Sequence, residues 1–327
     1  FPYPVLICDI GGTNARFALA DGPGAPARLL EVAKTAQFDG LPAAARSVLR
    51  ELPAPPRSLI ACGAGPVRGR SLALTNASWR IDGAATADSL GLEQGLLLND
   101  FEAMALSLPN LRPADVRPIG TWRDQPGVRL ALGPGTGLGI AALAEIDGRF
   151  VALPSEAGHI EFGPCAADEE KLWPHLERVQ GRVTAETVVS GPGLERLHVA
   201  RLASLGRPPQ RLTAVEITRD GLREAGDARE TLALLWRLTA RFAGDMAITF
   251  LARGGVTLAG GVLPRIAQFL DEQTFRRAFE AKAPMDGLAR EIGVRLVTAP
   301  QAVLQGMAAI AAAPDRFALD YATRLWR

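Results

Sequence analysis

Asp9-Ile10-Gly11-Gly12-Thr13-Asn14-Ala15-Arg16 is the stretch on which the reading of this chain turns. It follows the apolar run Val5-Leu6-Ile7-Cys8 and precedes Phe17-Ala18-Leu19-Ala20. Apolar runs on both sides of a glycine pair predict strand, tight turn, strand. Adjacent glycines permit positive φ and leave no Cβ in the way of a ligand. Bare backbone N–H groups can then surround a phosphate, with Thr13 and Asn14 adding side-chain donors. Asp9, at the strand end, can hold a hydrated Mg²⁺. An ordinary hairpin with a hydrophilic tip accounts for the same residues.

The rest of the composition narrows the field. A length of 327 residues suggests about two domains, and 48% hydrophobic residues supply a sizeable core. A formal net charge of +1 leaves no electrostatic footprint for nucleic acid or an anionic membrane. Cys8, Cys62 and Cys165 are dispersed and match no metal spacing, which fits a reducing cytoplasm better than a disulfide framework. Asp9 interrupts the N-terminal apolar stretch too early for a signal peptide. No window approaches the roughly 18 apolar residues of a membrane span.

Strand signals at 5–10, 16–20, 28–33, 59–63 and 96–99 alternate with helix signals at 41–51 and 101–107. Such alternation predicts a mostly parallel sheet with crossover helices. Residues 109–126 are proline-rich and read as an irregular crossing into a second domain. Beyond it, strands are expected at 129–132, 138–146, 150–153, 256–259 and 294–297, with helices at 167–179, 193–205 and 227–252, and a last helix at 301–313. The apolar stripe of the 227–252 helix reads as core packing. No repeat of fixed solenoid period is visible.

Gly133-Pro134-Gly135-Thr136-Gly137-Leu138-Gly139 is a second phosphate candidate. It falls between two predicted strands and lacks the dinucleotide spacing, and no Walker lysine is present. A glycine hairpin remains, either merely flexible or bringing N–H groups and Thr136 to a polyphosphate. Gly260-Gly261 follows a short strand, where a glycine pair serves as a simple turn or lets a flat base or ribose approach the backbone. Asn99-Asp100 ends a strand and opens a helix, so Asp100 can be an N-cap or a base that takes a hydroxyl proton.

These segments, with Leu97-Leu98-Asn99-Asp100-Phe101, Glu156-Ala157-Gly158-His159 and Leu258-Ala259-Gly260-Gly261-Val262, resemble the bacterial glucokinase family in order and spread from about residue 5 to beyond 300. The resemblance is to the branch without a zinc motif, since only Cys165 follows His159. It implies an α/β, two-domain actin-like (ribonuclease H-like) ATPase fold with a cleft between domains. The smaller domain would span 1–110 plus about 301–327 and the larger one 111–300. It implies transfer of the γ-phosphoryl of ATP to the 6-hydroxyl of D-glucose, the first step of glycolysis, with Mg²⁺ and without zinc.

Under this resemblance Asp100 is the catalytic base, and Asn99, Asp100, Glu156, His159, Glu186 and Asn76 bind the sugar. Asp9, Ile10, Gly11, Gly12, Thr13, Asn14, Gly135, Thr136, Gly137, Gly260 and Gly261 take the nucleotide, with Asp9 reaching the metal through water or phosphates. Sugar binding would close the domains and suppress futile hydrolysis by excluding water. The partners implied are glucose and ATP, with no nucleic acid and no membrane; the resemblance also suggests a homodimer. Read without it, Glu156, His159 and Glu186 are surface or capping residues. A kinase for mannose, fructose or glucosamine uses the same residues. A non-catalytic sugar-binding regulator usually carries a helix-turn-helix, none of which precedes Val5.

Overall fold

Val5-Leu6-Ile7-Cys8 forms a strand whose four side chains are all buried, as expected of a strand covered on both faces. Leu6, Cys8 and Ile10 join a core with Leu41, Ala44 and Val48 of the helix Leu41–Leu49. The helix Ala302–Ala312 packs against the same strand and against the helix Asp100–Ser107. Gly306 permits that approach, because a Cβ there would lie 2.1 Å from the Cβ of Ser107. The computed structural model describes residues 1–50, 52–75 and 77–326. The sugar candidate Asn76, and Glu51 at the expected end of the first helix, lie outside the described residues.

The chain divides into two compact units. One comprises Phe1–Asp115, Leu143–Leu153 and the stretch from Ala299 onward; the other comprises Val116–Ala142 and Pro154–Thr298. The first unit begins with β1 (Val5–Ile10), β2 (Asn14–Ala20), β3 (Arg28–Lys34) and β4 (Ser58–Gly63). A small sheet follows from β5 (Val67–Arg68), β6 (Ser71–Ala73) and β7 (Arg80–Asp82), and then β8 (Gln94–Asn99). The main sheet has the order β3-β2-β1-β4-β8. It is mixed rather than mostly parallel: β1–β2 and β2–β3 are antiparallel, while β1–β4 and β4–β8 are parallel. Tight turns can join only antiparallel neighbours, whereas the helix crossovers later in the unit give parallel pairs.

The second unit contains β9 (Val116–Pro118), β10 (Arg129–Pro134), most of β11 (Leu138–Ile146), the end of β12 (Arg149–Ser155), β13 (Val256–Leu258) and β14 (Val294–Val297). Their order is β12-β11-β10-β13-β14-β9. Apart from β9, this repeats the first sheet: three successive strands side by side, then two more added next to the first of the three. Both sheets thus have the ribonuclease H-like order of the actin-like ATPase fold. The helix Asp227–Thr249 buries Leu232, Leu235, Phe242 and Met246, so the stripe is core.

Three local expectations differ. β9 arises inside the proline-rich stretch, pairing antiparallel with β14 through Val116↔Val297. The helix expected at 167–179 is Ala167–Leu172 followed by the 3₁₀ turn Trp173–His175, since Pro174 cannot continue the α ladder. Helices at Gly83–Leu90, Ala214–Arg223, Glu272–Glu280 and Asp286–Glu291 were not expected.

Trp326 is 1% exposed, and its indole lies in a slot floored by glycine. A Cβ on Gly95 would lie 1.9 Å from this ring, and one on Gly83 would lie 2.4 Å from it. Gly95→Ala is therefore expected to destabilise the protein by about 3 kcal/mol through overpacking. Gly22→Ala, where a Cβ meets nothing within 4 Å, should stay within about 0.5 kcal/mol. Urea unfolding checks both, and equal midpoints for the two variants would refute the slot.

Candidate active site

The parallel register sets one edge of the first sheet. Asp9 pairs with Cys62 and Cys62 with Leu98, so Ile10, Gly63 and Asn99 end level. Asp9 stands one residue before that edge and Asp100 one residue beyond it. Asp9 is an anchored carboxylate. Its Oδ2 accepts from Arg16 Nη1 at 2.9 Å, and its Oδ1 lies 3.6 Å from the Cys62 Sγ that donates to it. Burial, then the charges of Asp9 and Asp100, pushes the Cys62 thiol well up, so it stays a donor.

The turn after β1 is fixed from below. Gly11 N–H donates to Asn14 O at 2.8 Å, so this amide closes the turn and is not the bare phosphate donor expected. Thr35 holds the remaining carbonyls: its hydroxyl donates to Gly12 O at 2.7 Å and its N–H to Thr13 O at 3.1 Å. With the carbonyls engaged, the N–H groups of Gly12 and Thr13 have no partner among the described residues. A phosphate cradle needs this pattern. Gly11 does not use positive φ; of the glycines Gly11, Gly135, Gly137, Gly260 and Gly261 expected to meet a nucleotide, only Gly260 does, at 85°.

Asp100 is the first residue of its helix, and the N-cap is Asn99, not Asp100. Asn99 Oδ1 accepts from the N–H groups of Phe101 and Glu102 at 3.0 and 3.1 Å. Its Nδ2 donates to Gly65 O at 3.2 Å, and its N–H donates to Glu102 Oε2 at 3.2 Å. This capping box consumes the Asn99 side-chain carbonyl; its Nδ2 group serves Gly65 O and the Asp100 carboxyl. Burial first, and the nearby charge of Asp9 second, push the Asp100 carboxyl up to about 6, against donation from the Phe101 N–H and the Asn99 side chain.

In the second unit the structure brings Glu156, His159 and Glu186 together. His159 Nε2 is 3.7 Å from Glu156 Oε2, and its Nδ1 is 3.9 Å from Glu186 Oε1. Glu186 is also tied to the glycine hairpin, since Leu138 N–H donates to its Oε2 at 2.8 Å. A Cβ on Gly137 would lie 2.5 Å from that oxygen, and one on Gly158 2.5 Å from Leu138 O. The hairpin is thus wedged against the three polar residues. On its other side a Cβ on Gly133 would lie 1.9 Å from Ala259 O, and one on Gly260 2.5 Å from Pro134 O. The hairpin and the Gly260-Gly261 turn therefore stack backbone on backbone, with Thr136, Gly260 and Gly261 exposed.

The family model described as Glucokinase matches residues 6–314. The chain belongs to the glucokinase family. It is an ATP-dependent sugar kinase by that membership. A glucokinase of Sinorhizobium medicae is 42% identical over all of this chain and 97% of its own length. One of Brucella suis biovar 1 is 40% identical over all of this chain and 96% of its own. Among solved structures, a glucokinase from an Antarctic psychrotroph superposes with a TM-score of 0.82 at 31% identity, covering 94% of this chain and 98% of that one. A Balamuthia mandrillaris glucokinase in complex with glucose shares the fold with a TM-score of 0.79 at 23% identity, covering 94% and 93%.

Sequence reasoning missed Glu102, Cys62 and Arg324. Glu102 carried a signal, the Asn-x-x-Glu spacing of a capping box. Cys62 becomes visible only through strand register. Arg324 donates to both carboxylate oxygens of Glu102, at 2.7 and 2.8 Å, across 222 positions of sequence. His198 is structural: it is buried, with Nδ1 3.0 Å from Thr231 Oγ1. Among the described residues no group of three or more His, Cys, Asp and Glu could hold a metal.

The raised Asp100 pKa sets a stability test. Its folded value of about 6 exceeds the ordinary 3.8, so folding takes up a proton between those values. The penalty is absent below about pH 4 and fully present above about pH 6. Asp100→Asn is expected to stabilise the protein by about 3 kcal/mol at pH 7.5 and by under about 1 kcal/mol at pH 4. Thermal melts at both pH values check this; an equal shift at both would sink the assignment.

Proposed function

We propose that this chain transfers the γ-phosphoryl group of ATP to the 6-hydroxyl of D-glucose, giving glucose 6-phosphate and ADP, with Asp100 as the base. One observation carries the assignment: a carboxyl raised to about 6 stands where β8 passes into its helix, with its backbone held by a complete capping box. Such a group is ionised at neutral pH yet basic enough to accept a proton as the acceptor oxygen bonds to phosphorus. Phosphoryl transfer otherwise asks for positioning and charge stabilisation. The O6–P bond forms, the bond from the γ-phosphorus to the bridging oxygen breaks, ADP leaves with that electron pair, and Asp100 takes the hydroxyl proton.

The remaining roles follow from donor chemistry. Gly11, Gly12, Thr13 and Asn14 hold phosphates through the free amides of Gly12 and Thr13, beside Ile10 and Asp9. Gly135, Thr136 and Gly137 hold phosphates in the second unit, and Gly260 and Gly261 meet the ribose and base. Glu156, His159 and Glu186 take ring hydroxyls, and Asn99 is proposed for the same sugar. Asp9 suits Mg²⁺ as a single fixed carboxylate reaching the ion through water, because Mg²⁺ keeps waters and takes its other ligands from phosphates. Bound there, the ion neutralises charge on the phosphates. The donor set calls for no zinc. A cytoplasmic location, entry into glycolysis and a homodimer belong to the same proposal. Three free cysteines support the location, and light scattering tests the dimer.

The test is an assay coupled to ADP formation, run with glucose and a panel of hexoses. Asp100→Asn is expected to lower kcat by about 10²-fold or more with glucose affinity changed only modestly. Glu156→Gln should raise the glucose KM by about tenfold, the cost of one charge-assisted hydrogen bond. Near-normal turnover of Asp100→Asn refutes the base, and faster turnover of mannose, fructose or glucosamine than of glucose refutes the substrate.

A further inference from the structure

The catalytic edge of the first unit is held by a segment from the far end of the sequence. β8 is the outer strand of its sheet. The end of the sequence meets it at one point: Gly95 N–H donates to Trp326 O at 3.2 Å and Trp326 N–H to Gly95 O at 3.3 Å, an isolated antiparallel bridge on the open edge. Two residues further along β8, Arg324 Nη2 donates to Leu97 O at 2.8 Å. The same guanidinium grips Glu102 through both carboxylate oxygens. Glu102 is 6% exposed and passes the connection on by accepting the Asn99 N–H. Arg324, Glu102 and Asn99 form one chain of hydrogen bonds ending at the residue that precedes Asp100.

We propose that Arg324 is a positioning residue for phosphoryl transfer: it clamps the capping box that aims the Asp100 carboxylate, and the indole of Trp326, seated on Gly83 and Gly95, keeps Arg324 in register. The proposal rests on Asp100 being the base. Its physical core is the asymmetry of buried ion pairs. Removing one partner leaves a charge that must be neutralised or hydrated, and the segment carrying it moves. Here the orphan would be Glu102, two residues after Asp100 and already engaged at Asn99. Water drawn to that carboxylate would compete for the Asn99 N–H and loosen the first turn of the helix. A shift of the carboxylate by about 1 Å is enough to cost much of the rate without weakening either substrate.

Three variants decide the matter in the full chain, with ATP and glucose as substrates. Arg324→Met is expected to lower kcat about tenfold or more while the KM values for glucose and ATP stay within about twofold. Arg324→Lys should fall between Met and the parent, since one ammonium cannot serve Glu102 bidentately and Leu97 O together. Arg324→Met combined with Glu102→Gln should recover most of the lost kcat, because the amide oxygen still accepts from Asn99 and no charge is stranded. Rates are referred to the folded fraction from near-UV circular dichroism. Full kcat in folded Arg324→Met, a loss confined to KM, or a loss that tracks the unfolded fraction overturns the proposal. Asp100→Asn is assayed alongside. Full turnover there overturns the base assignment, whereas a crippled Asp100→Asn with a fully active Arg324→Met overturns only the clamp.

Discussion

Two carboxylates of like charge at the end of one sheet are the constraint around which the first unit is built. Parallel register puts Asp9 and Asp100 on β1 and just beyond β8, with only β4 between those strands. Their repulsion, in a partly buried setting, is one reason the Asp100 carboxyl is pushed up to about 6. The protein treats the two differently. Asp9 receives a guanidinium and a thiol, which hold it in place. Asp100 has no cationic partner among the described residues; its donors are the Phe101 N–H and the Asn99 side chain. In the proposed reaction, environment divides two identical groups into a charge holder and a proton acceptor.

The duplicated sheet order explains why the glycine turns proposed to bind phosphate come in pairs. The Gly11–Asn14 turn joins the first two strands of one sheet, and Gly135–Gly137 joins β10 to β11, the corresponding pair of the other. Each turn is stabilised by spending its own backbone groups inward. Thr35 secures the first, and Gly191 N–H, donating to Gly135 O at 2.9 Å, secures the second. The glycines serve mainly to admit neighbouring backbone: Gly133 against Ala259, Gly137 against Glu186, Gly158 against Leu138. Positive φ matters at Gly260 alone among the glycines compared above.

This division marks what was legible in the sequence. Strands flanking glycine turns, the Asn-Asp helix start and the Glu-x-x-His turn announce themselves through local pattern, because short-range sterics and capping chemistry act over a few residues. The mixed sheet was misread because alternation of strand and helix signals does not reveal which neighbours pair. β9 escaped because three residues among prolines give no period, and only β14, nearly two hundred positions away, makes them a strand. The duplication escaped because it lies in strand order and has no fixed spacing. The N-cap falls to Asn99 rather than Asp100, since either residue of the Asn-Asp pair can cap and the choice depends on Gly65 O and Glu102 lying within reach.

Each half of the proposed machinery is anchored by the same device. In the first unit Glu102 accepts a backbone N–H four residues or fewer away and pairs with the distant Arg324. In the second, Glu169 accepts the Cys165 N–H at 2.9 Å and pairs with Arg241 Nη1 at 2.8 Å, both side chains being less than 10% exposed. Arg241 also donates to Gly163 O and lies 3.9 Å from the centre of the Phe162 ring. It thereby fastens the segment after His159 to the helix Asp227–Thr249. Buried pairs of this kind contribute little net stability, because desolvation offsets most of the Coulomb attraction. Their effect is to admit one arrangement, since an alternative packing strands a charge. A loop that must present Glu156 and His159 to solvent cannot be held by burying them. Fixing its continuation by a directional ion pair leaves the polar tips free while limiting where they can go.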